Sequence, residues 1–223
     1  MKKFKFTDII IGIVFTLLLI SLAVVFTINF RPLYYLDVEI LDIVERSGYP
    51  KQEILDNYNA LIDYSSPFFT GDLNFPTLPA SENGLQHFRE VKDIFTFFYI
   101  LGAVTLVISI CIAFHKHKKK DYQYLIVSSI TAITLPILVG LALAIDFDTS
   151  FVIFHKIFFN NDYWIFDSVT DPVIKILPDT FFLHCALLII LLVILGSILL
   201  AILYYHRRKY FSIRYRKNKG LNL

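Results

Sequence analysis

Three of the six histidines, His87, His155 and His184, lie in or beside two polar segments that separate long apolar stretches. Imidazole is the side chain best suited to accept and return protons near neutral pH. Taken alone, each histidine is better explained as a hydrogen-bonded structural residue, but a pair that converges from both segments near one interface would favour acid–base chemistry. The other three lie among basic residues and are interpreted as solvated flanking side chains: His115, His117 and His206.

Metal and cofactor sites have little support in the sequence. His87 and Glu90 are three residues apart and share one helix face, a spacing that occurs in metal-binding helices. However, the sequence has no HExxH motif, no paired CxxC motif and no second histidine–glutamate motif of this kind. It also lacks a GxSxG elbow and a glycine-rich phosphate loop. We therefore predict no metal, no cofactor and no catalytic serine.

Other chemistry within the apolar stretches is also disfavoured. Cys185 directly follows His184, but adjacent residues on a helix point about 100° apart, so this pair is not predicted to form a thiol nucleophile. Cys111 lies in a different apolar stretch, and no disulfide with Cys185 is predicted. The apolar stretches contain hydroxyl residues and Pro136 but no charge, whereas a transporter is expected to have polar or broken helices at midplane.

The candidate residues must be positioned by four apolar stretches. A helix needs roughly 20 apolar residues to cross about 30 Å of hydrocarbon. The chain has 223 residues, of which 56% are hydrophobic, and the apolar residues occur in blocks. The first block is too long for a signal peptide and has no small-residue cleavage site. We predict a single membrane domain over 1–223, with transmembrane helices at about 9–30, 94–114, 124–145 and 181–205.

The charged residues predict the orientation in the membrane. Basic residues mark the cytoplasmic side. Here they concentrate at the amino terminus (Lys2, Lys3 and Lys5), in the short connection after the second apolar stretch and in the tail, 206–223. Acidic residues concentrate in 31–93 and 146–180. We therefore predict a multi-pass plasma-membrane protein with both termini in the cytoplasm and these two segments on the extracytoplasmic face. The basic tail is suited to anionic lipid headgroups, and no nucleic acid partner is predicted.

The two extracytoplasmic segments are predicted to be mainly helical. After Pro50, apolar residues between 54 and 62 recur at helical spacing, and proline suits the first turn of a helix. Ser81 or Asn83 could cap a second helix that runs through His87 into the next crossing. The predicted fold class is therefore an all-α membrane protein: a four-transmembrane-helix bundle with a small, mainly helical extracytoplasmic cap.

Two stretches of these segments resemble the motifs of a known family. The first stretch, from Ser81 to Phe95, reads SENGLQHFREVKDIF. The second, from Phe154 to Asp167, reads FHKIFFNNDYWIFD and is followed by DPVI and LP. Together with the helix count and orientation, they resemble the lipoprotein intramolecular transacylases (Lit) of low-GC Gram-positive bacteria, which are four-helix integral membrane proteins formerly of unknown function.

The resemblance implies an O-to-N intramolecular acyltransferase that acts in lipoprotein maturation. Its substrate would be a diacylglyceryl lipoprotein with a free α-amine on the lipidated cysteine. Membrane lipids would be its other partners. The sn-2 acyl chain would move to that amine and give the N-acyl lyso-form. Because one molecule supplies both the nucleophile and the acyl donor, positioning accounts for much of the rate. The reaction requires no cofactor, and the oligomeric state is not indicated.

From the chemistry of this reaction we hypothesise roles for residues of the two motifs, which we predict to act by histidine acid–base catalysis. His155 is assigned as the general base on the amine. His87 is assigned as the oxyanion donor or as the acid for the leaving glycerol oxygen, and these two roles could be exchanged. Trp164 is expected to support the site as an interfacial aromatic residue. Three carboxylates are candidates to orient a histidine: Asp93, Asp162 and Asp167.

Two other functions remain open. The protein could bind lipids or membrane proteins without any chemistry, or it could be a histidine-dependent lipid hydrolase with water as the acyl acceptor. The acyl chains distinguish these functions, because transfer conserves both chains on the substrate, hydrolysis removes one and binding changes neither.

Overall fold

The computed structural model describes residues 5–218, with side chains described for residues 5–210, and the regular secondary structure in this range is helical. Within this range, four helices are long and apolar enough to cross a membrane, and they begin at Phe6, Glu82, Gln123 and Asp179. The predicted fold class, an all-α membrane protein with four transmembrane helices, is confirmed. In chain order the helices are α1 (Phe6–Asn29), α2 (Arg31–Ile40), α3 (Ile43–Ser47), α4 (Lys51–Tyr64), α5 (Glu82–Lys118), α6 (Gln123–Ile145), α7 (Phe147–Phe158), α8 (Val173–Ile176) and α9 (Asp179–Asn218).

Helix α5 is much longer than a membrane crossing requires. Its 37 residues extend over about 56 Å at 1.5 Å per residue, compared with about 30 Å of hydrocarbon. The apolar stretch predicted at 94–114 is the later part of this helix. The first turns, which carry His87, therefore precede the apolar stretch.

Helix α9 also continues beyond the apolar stretch from which it was predicted. The segment predicted as a basic tail, 206–223, is helical as far as Asn218. Residues 219–223 lie outside the described residues, as do Lys2 and Lys3. The orientation in the membrane stays a prediction.

The chain divides into two compact units. The first contains the described residues of Met1–Ala23, Leu101–Gly140 and Ile190–Leu223, and the second contains Val24–Ile100 and Leu141–Ile189. Both polar segments that carry the candidate histidines belong to the second unit. The prediction of a single membrane domain stays a prediction.

A buried ion cluster connects three helices in the first unit. Lys116, near the end of α5, lies 2.8 Å from Asp8 of α1 and 3.3 Å from Asp121, which precedes α6. The Asp8 side chain is buried. A buried charge is tolerated because it is paired, and removal of one partner leaves the other uncompensated. The cluster therefore stabilises this end of the three helices.

The second unit has an aromatic core. Tyr34 of α2 stacks on Tyr58 of α4 with ring centroids 3.7 Å apart, and Phe181 of α9 meets their edges at 5.1 and 6.0 Å. The Tyr34 hydroxyl donates to the main-chain oxygen of Ile176 in α8 at 2.7 Å. The same core includes Phe88 of α5. Its packing therefore fixes the helix segment that carries the first candidate histidine.

Candidate active site

His87 lies in the second turn of α5, and polar contacts fix the start of this helix. The Ser81 hydroxyl accepts a hydrogen bond from the Gly84 main-chain N–H at 3.0 Å, the geometry of an N-cap. The buried carboxylate of Asp171 accepts a hydrogen bond from the Ser81 N–H at 2.8 Å. A Cβ atom at Gly84 would lie 2.2 Å from this carboxylate, so glycine permits the close approach. A negative charge is favourable at a helix N-terminus.

His155 lies in the last turn of α7, and a main-chain hydrogen bond fixes its tautomer. Its Nδ1 atom lies 2.8 Å from the carbonyl oxygen of Phe151. Because a carbonyl only accepts, Nδ1 carries the hydrogen and Nε2 of the neutral ring carries a free lone pair. Burial lowers the pKa of His155 below its ordinary value of 6.5, while the hydrogen bond to Phe151 and the charge of Asp179 act in the opposite direction. The neutral ring is therefore favoured at neutral pH.

The two histidines from different segments lie side by side. Their ring centroids are 6.1 Å apart, and the ring planes are inclined by 33°. Phe159 contacts both, at 4.7 Å from His87 and 5.7 Å from His155. Trp164 stacks on His155 at 4.6 Å, and Phe166 lies at 5.5 Å from His87. Both imidazoles are thus buried among aromatic rings that limit access of water.

Asn161 connects the surroundings of the two histidines. Its side-chain amide donates to both carboxylate oxygens of Glu90, at 3.0 and 3.1 Å. Its main-chain oxygen accepts from Trp164 Nε1 at 3.2 Å. Glu90 is one turn beyond His87 on α5, and Trp164 covers His155. The sequence analysis did not select Asn161 or Glu90 as site residues, although each lies within one of the two motifs.

One buried ring nitrogen of the histidine pair has no hydrogen-bond partner among the described residues. The Nδ1 atom of His87 is buried and makes no hydrogen bond within the part of the chain that the structure describes. An unpaired buried polar atom costs about 1–3 kcal/mol, and such atoms in native proteins call for a functional or structural explanation. A substrate group that enters beside the aromatic rings would satisfy this atom.

The three candidate carboxylates have exposed side chains. Asp167 accepts a hydrogen bond from the main-chain N–H of Val169 at 2.7 Å and so stabilises its own turn. Asp162 accepts from the N–H of Ile165 through its main-chain oxygen at 3.0 Å. Asp93 lies on α5, six residues after His87. A role for any of them in orienting a histidine stays a prediction. Trp164, by contrast, contacts a histidine ring directly.

The third histidine of the polar segments has its own carboxylate partner. His184 of α9 lies 2.8 and 3.0 Å from the two oxygens of Asp37 in α2, through Nδ1. Asp37 is buried, and His184 is partly exposed. This contact connects α2 to the start of α9. The sequence singles out His184 as one of three candidate histidines and as the neighbour of Cys185, but it does not reveal the partner Asp37, which is 147 residues away.

The arrangement is suited to proton transfer. It contains a neutral imidazole with a free Nε2 lone pair, a second buried imidazole beside it and a surrounding of aromatic rings. No cluster of three or more potential metal ligands is found among the residues that the structure describes. Such a pair can deprotonate one group of a substrate and protonate another. It therefore suits a substrate that carries its own nucleophile.

Comparisons with known proteins find a family match and similar solved structures. The family model of the lipoprotein intramolecular transacylase Lit matches residues 9–182. The crystal structure of the membrane-integral Lit of Bacillus cereus is similar to the chain with a TM-score of 0.89 and 38% sequence identity, over 93% of this chain and 98% of that chain.

Two further structures of the Bacillus cereus protein carry a histidine substitution. The structure with arginine in place of the histidine has a TM-score of 0.84 and 37% identity, over 93% of this chain and 95% of that chain. The structure with alanine has a TM-score of 0.85 and 37% identity, over 92% of this chain and 94% of that chain. A search of curated protein sequences finds no match.

Proposed function

The chain belongs to the lipoprotein intramolecular transacylase family, Lit, and we propose that it transfers an acyl chain within a lipoprotein by acid–base catalysis at His87 and His155. Intramolecular transacylation is the activity of this family. The observation that supports our assignment of the two histidines is the 6.1 Å separation of their ring centroids inside an aromatic enclosure.

The proposed reaction moves one acyl chain within a diacylglyceryl lipoprotein. The free α-amine of the lipidated cysteine attacks the carbonyl carbon of the sn-2 ester. A carbon–nitrogen bond forms, and the bond from that carbon to the glycerol oxygen breaks. The amine loses one proton and the glycerol oxygen gains one, so the overall reaction neither consumes nor releases protons.

His155 is the proposed general base. Its Nδ1–H is held by the Phe151 carbonyl, which leaves Nε2 to accept the proton that the amine loses during attack. Burial lowers the pKa of His155, so that the ring is neutral and competent at neutral pH. The α-amine itself has a pKa of about 7.7–8.0, and a modest base is therefore sufficient.

His87 is the proposed donor. In its neutral form one ring nitrogen carries a hydrogen, which can stabilise the oxyanion of the tetrahedral intermediate or protonate the leaving glycerol oxygen. Because Nδ1 of His87 has no partner within the described chain, it is available to a substrate oxygen. The reverse assignment of roles is the alternative.

The surroundings favour transfer over hydrolysis. Phe159, Trp164 and Phe166 surround the imidazoles. Since water competes with the amine for the acyl group, its exclusion favours the amide product. We propose that the site is on the extracytoplasmic face, with both termini in the cytoplasm, because basic residues concentrate in the termini and in the α5–α6 connection.

Mass spectrometry of a lipoprotein amino terminus tests this function. The lipoprotein is isolated from cells that lack the protein and from cells that express it. Transfer gives the N-acyl lyso-form with both acyl chains retained. Loss of one chain would instead indicate hydrolysis, and an unchanged lipoprotein would indicate binding without chemistry.

A further inference from the structure

A polar pocket is lined mainly by residues of the first turns of α5, the turns that also carry His87. Its volume is about 370 Å³. Asn83 precedes His87 by four residues, and Gln86 precedes Glu90 by four, so the pocket and the catalytic face are neighbours on one helix surface. Gln86 Nε2 also donates to Glu90 at 3.3 Å. The pocket is lined by Glu82, Asn83, Leu85, Gln86, Arg89 and Tyr163.

Several of the lining groups are available to a ligand. The side chains of Glu82 and Asn83 have no hydrogen-bond or ion-pair partner among the described residues. The Asn83 amide offers both donors and an acceptor, and Glu82 offers acceptors only. Leu85 and the exposed ring of Tyr163 add apolar surface. This combination suits a ligand with alternating N–H and C=O groups on a short aliphatic backbone.

We propose that this pocket binds the first residues of the polypeptide that follow the lipidated cysteine, an inference that rests on the proposed function. The reacting α-amine belongs to the first residue of the mature lipoprotein. An extended chain advances at most about 3.3–3.6 Å per residue. The second to fourth residues must therefore lie within about two turns of α5 from His87, which is where the pocket lies.

The direction along α5 agrees with this assignment. The apolar stretch of α5 follows Asp93, and the acyl chains must lie along apolar surface of this kind. The polypeptide must leave in the opposite direction, towards the start of the helix. The pocket is located there, at residues 82–89 of α5.

The pocket recognises the peptide main chain and not its side-chain charge. Glu82 and Arg89 have opposite charges, so the lining carries no net charge that would select an acidic or a basic peptide. Hydrogen bonds from Asn83 to main-chain groups are independent of the substrate sequence. An enzyme with this pocket acts on lipoproteins whose second to fourth residues differ in charge.

Two synthetic substrates test the inference: diacylglyceryl-cysteine extended by three further residues, and diacylglyceryl-cysteine amide with none. The purified protein is expected to transfer the acyl chain in both, with a lower KM for the extended substrate. In Asn83→Ala, this KM advantage should shrink several-fold, up to roughly tenfold for loss of one main-chain hydrogen bond, while kcat changes little. In Tyr163→Ala, it should shrink through loss of apolar contact area. Glu45→Ala, at an exposed position of α3, should retain the advantage.

Three outcomes would overturn the inference. The wild-type protein could show no KM advantage for the extended substrate, or the variants could lose activity equally on both substrates, which would indicate an effect on His87. Third, an unlipidated peptide of the same three residues could fail to compete for the pocket, so that the KM of the wild-type protein for the extended substrate would not rise. This measurement requires no variant. Failure of the proposed function is distinguishable, because the wild-type protein would then transfer neither substrate.

Discussion

The Asn161 side-chain amide donates to both carboxylate oxygens of Glu90, at 3.0 and 3.1 Å. This contact joins α5, one turn beyond His87, to the loop that follows α7 and His155. The two histidines come from segments 68 residues apart in sequence (155 − 87), and their separation depends on such contacts between the segments. The hydrogen bond therefore holds together the two segments that carry the pair.

Replacement of Asn161 by aspartate should reduce activity by roughly tenfold or more. The substitution removes the donor and places a second carboxylate against Glu90, and a hydrogen bond to a charged group is worth about 1.5–3 kcal/mol. The new carboxylate would still accept from the Tyr163 N–H, as the Asn161 side-chain oxygen does at 3.0 Å. The rate of acyl transfer in purified protein, split into kcat and KM, measures the effect.

The double variant Asn161→Asp/Glu90→Gln is the matched control. It restores one amide and one carboxylate with their positions exchanged, so activity should largely return. If the double variant transfers the acyl chain as slowly as Asn161→Asp alone, the contact does not position the histidines.

Replacement of His155 or His87 by alanine should reduce acyl transfer by about 10²–10⁴-fold, the usual contribution of a general acid or base. The measurement is the amount of lyso-form on a reporter lipoprotein by mass spectrometry, at equal protein level in the membrane. His115→Ala, at an exposed position of α5, should behave as the wild-type protein. A fully active His155→Ala variant would exclude the assigned base.

The pH dependence follows from the pKa of His155. Burial lowers this pKa below 6.5, and a base acts only when it is deprotonated, so His155 is competent throughout the range above pH 6.5. The rise of kcat/KM between pH 6.5 and 8 should therefore reflect only the substrate amine, with a pKa of about 7.7–8.0.

Replacement of Trp164 by alanine tests the cause of this shift. Trp164 stacks on His155 at 4.6 Å, and its loss exposes the imidazole, so the pKa should move up towards 6.5. Titration of the His155 ring by NMR gives the pKa directly. A wild-type pKa above 6.5 would contradict the role of burial.

Gly84→Ala should lower the melting temperature although alanine usually stabilises a helix by about 1 kcal/mol relative to glycine. The new Cβ would lie 2.2 Å from the Asp171 carboxylate and displace it from the start of α5. Gly140→Ala in α6 is the control, since its nearest neighbour, Ile190 Cδ1, is 3.9 Å away. Thermal unfolding in detergent should show a lower melting temperature for Gly84→Ala and a higher one for Gly140→Ala than for the wild-type protein.

Lys116→Met should destabilise the protein by about 3–5 kcal/mol, because it leaves the buried Asp8 carboxylate without its partner at 2.8 Å. Lys119→Met, at an exposed position that follows α5, should have little effect. The double variant Asp8→Asn/Lys116→Met removes the charge as well and should recover most of the loss. Equal melting temperatures for Lys116→Met and Lys119→Met would show that the cluster contributes no stability.

The helices could be predicted from the sequence because hydropathy and capping are local signals. The four apolar stretches correspond to α1, α5, α6 and α9, and α4 begins directly after Pro50, as the spacing of apolar residues predicts. Ser81 caps α5, one of the two capping residues proposed. His87 and His155 could be selected because each lies within a recognisable motif.

The contacts between segments could not be predicted in the same way. Asn161 pairs with Glu90 across 71 residues, and His184 pairs with Asp37 across 147. Neither periodicity nor composition encodes such a pairing. The spacing of His87 and Glu90 places them on one helix face, but it does not reveal that the Glu90 carboxylate accepts hydrogen bonds from the Asn161 amide. The partner of His155 Nδ1 could not be found among side chains, because it is a main-chain oxygen.

That main-chain partner has a consequence for how the site tolerates mutation. In many enzymes a side chain orients the catalytic histidine, and one substitution removes it. Here the acceptor is the carbonyl oxygen of Phe151, four residues earlier in α7, and every amino acid at position 151 supplies the same oxygen. A genetic screen would therefore find no orienting residue. The helical turn itself therefore fixes the tautomer of His155. Substitutions at position 151 leave this tautomer unchanged for as long as the turn stays helical.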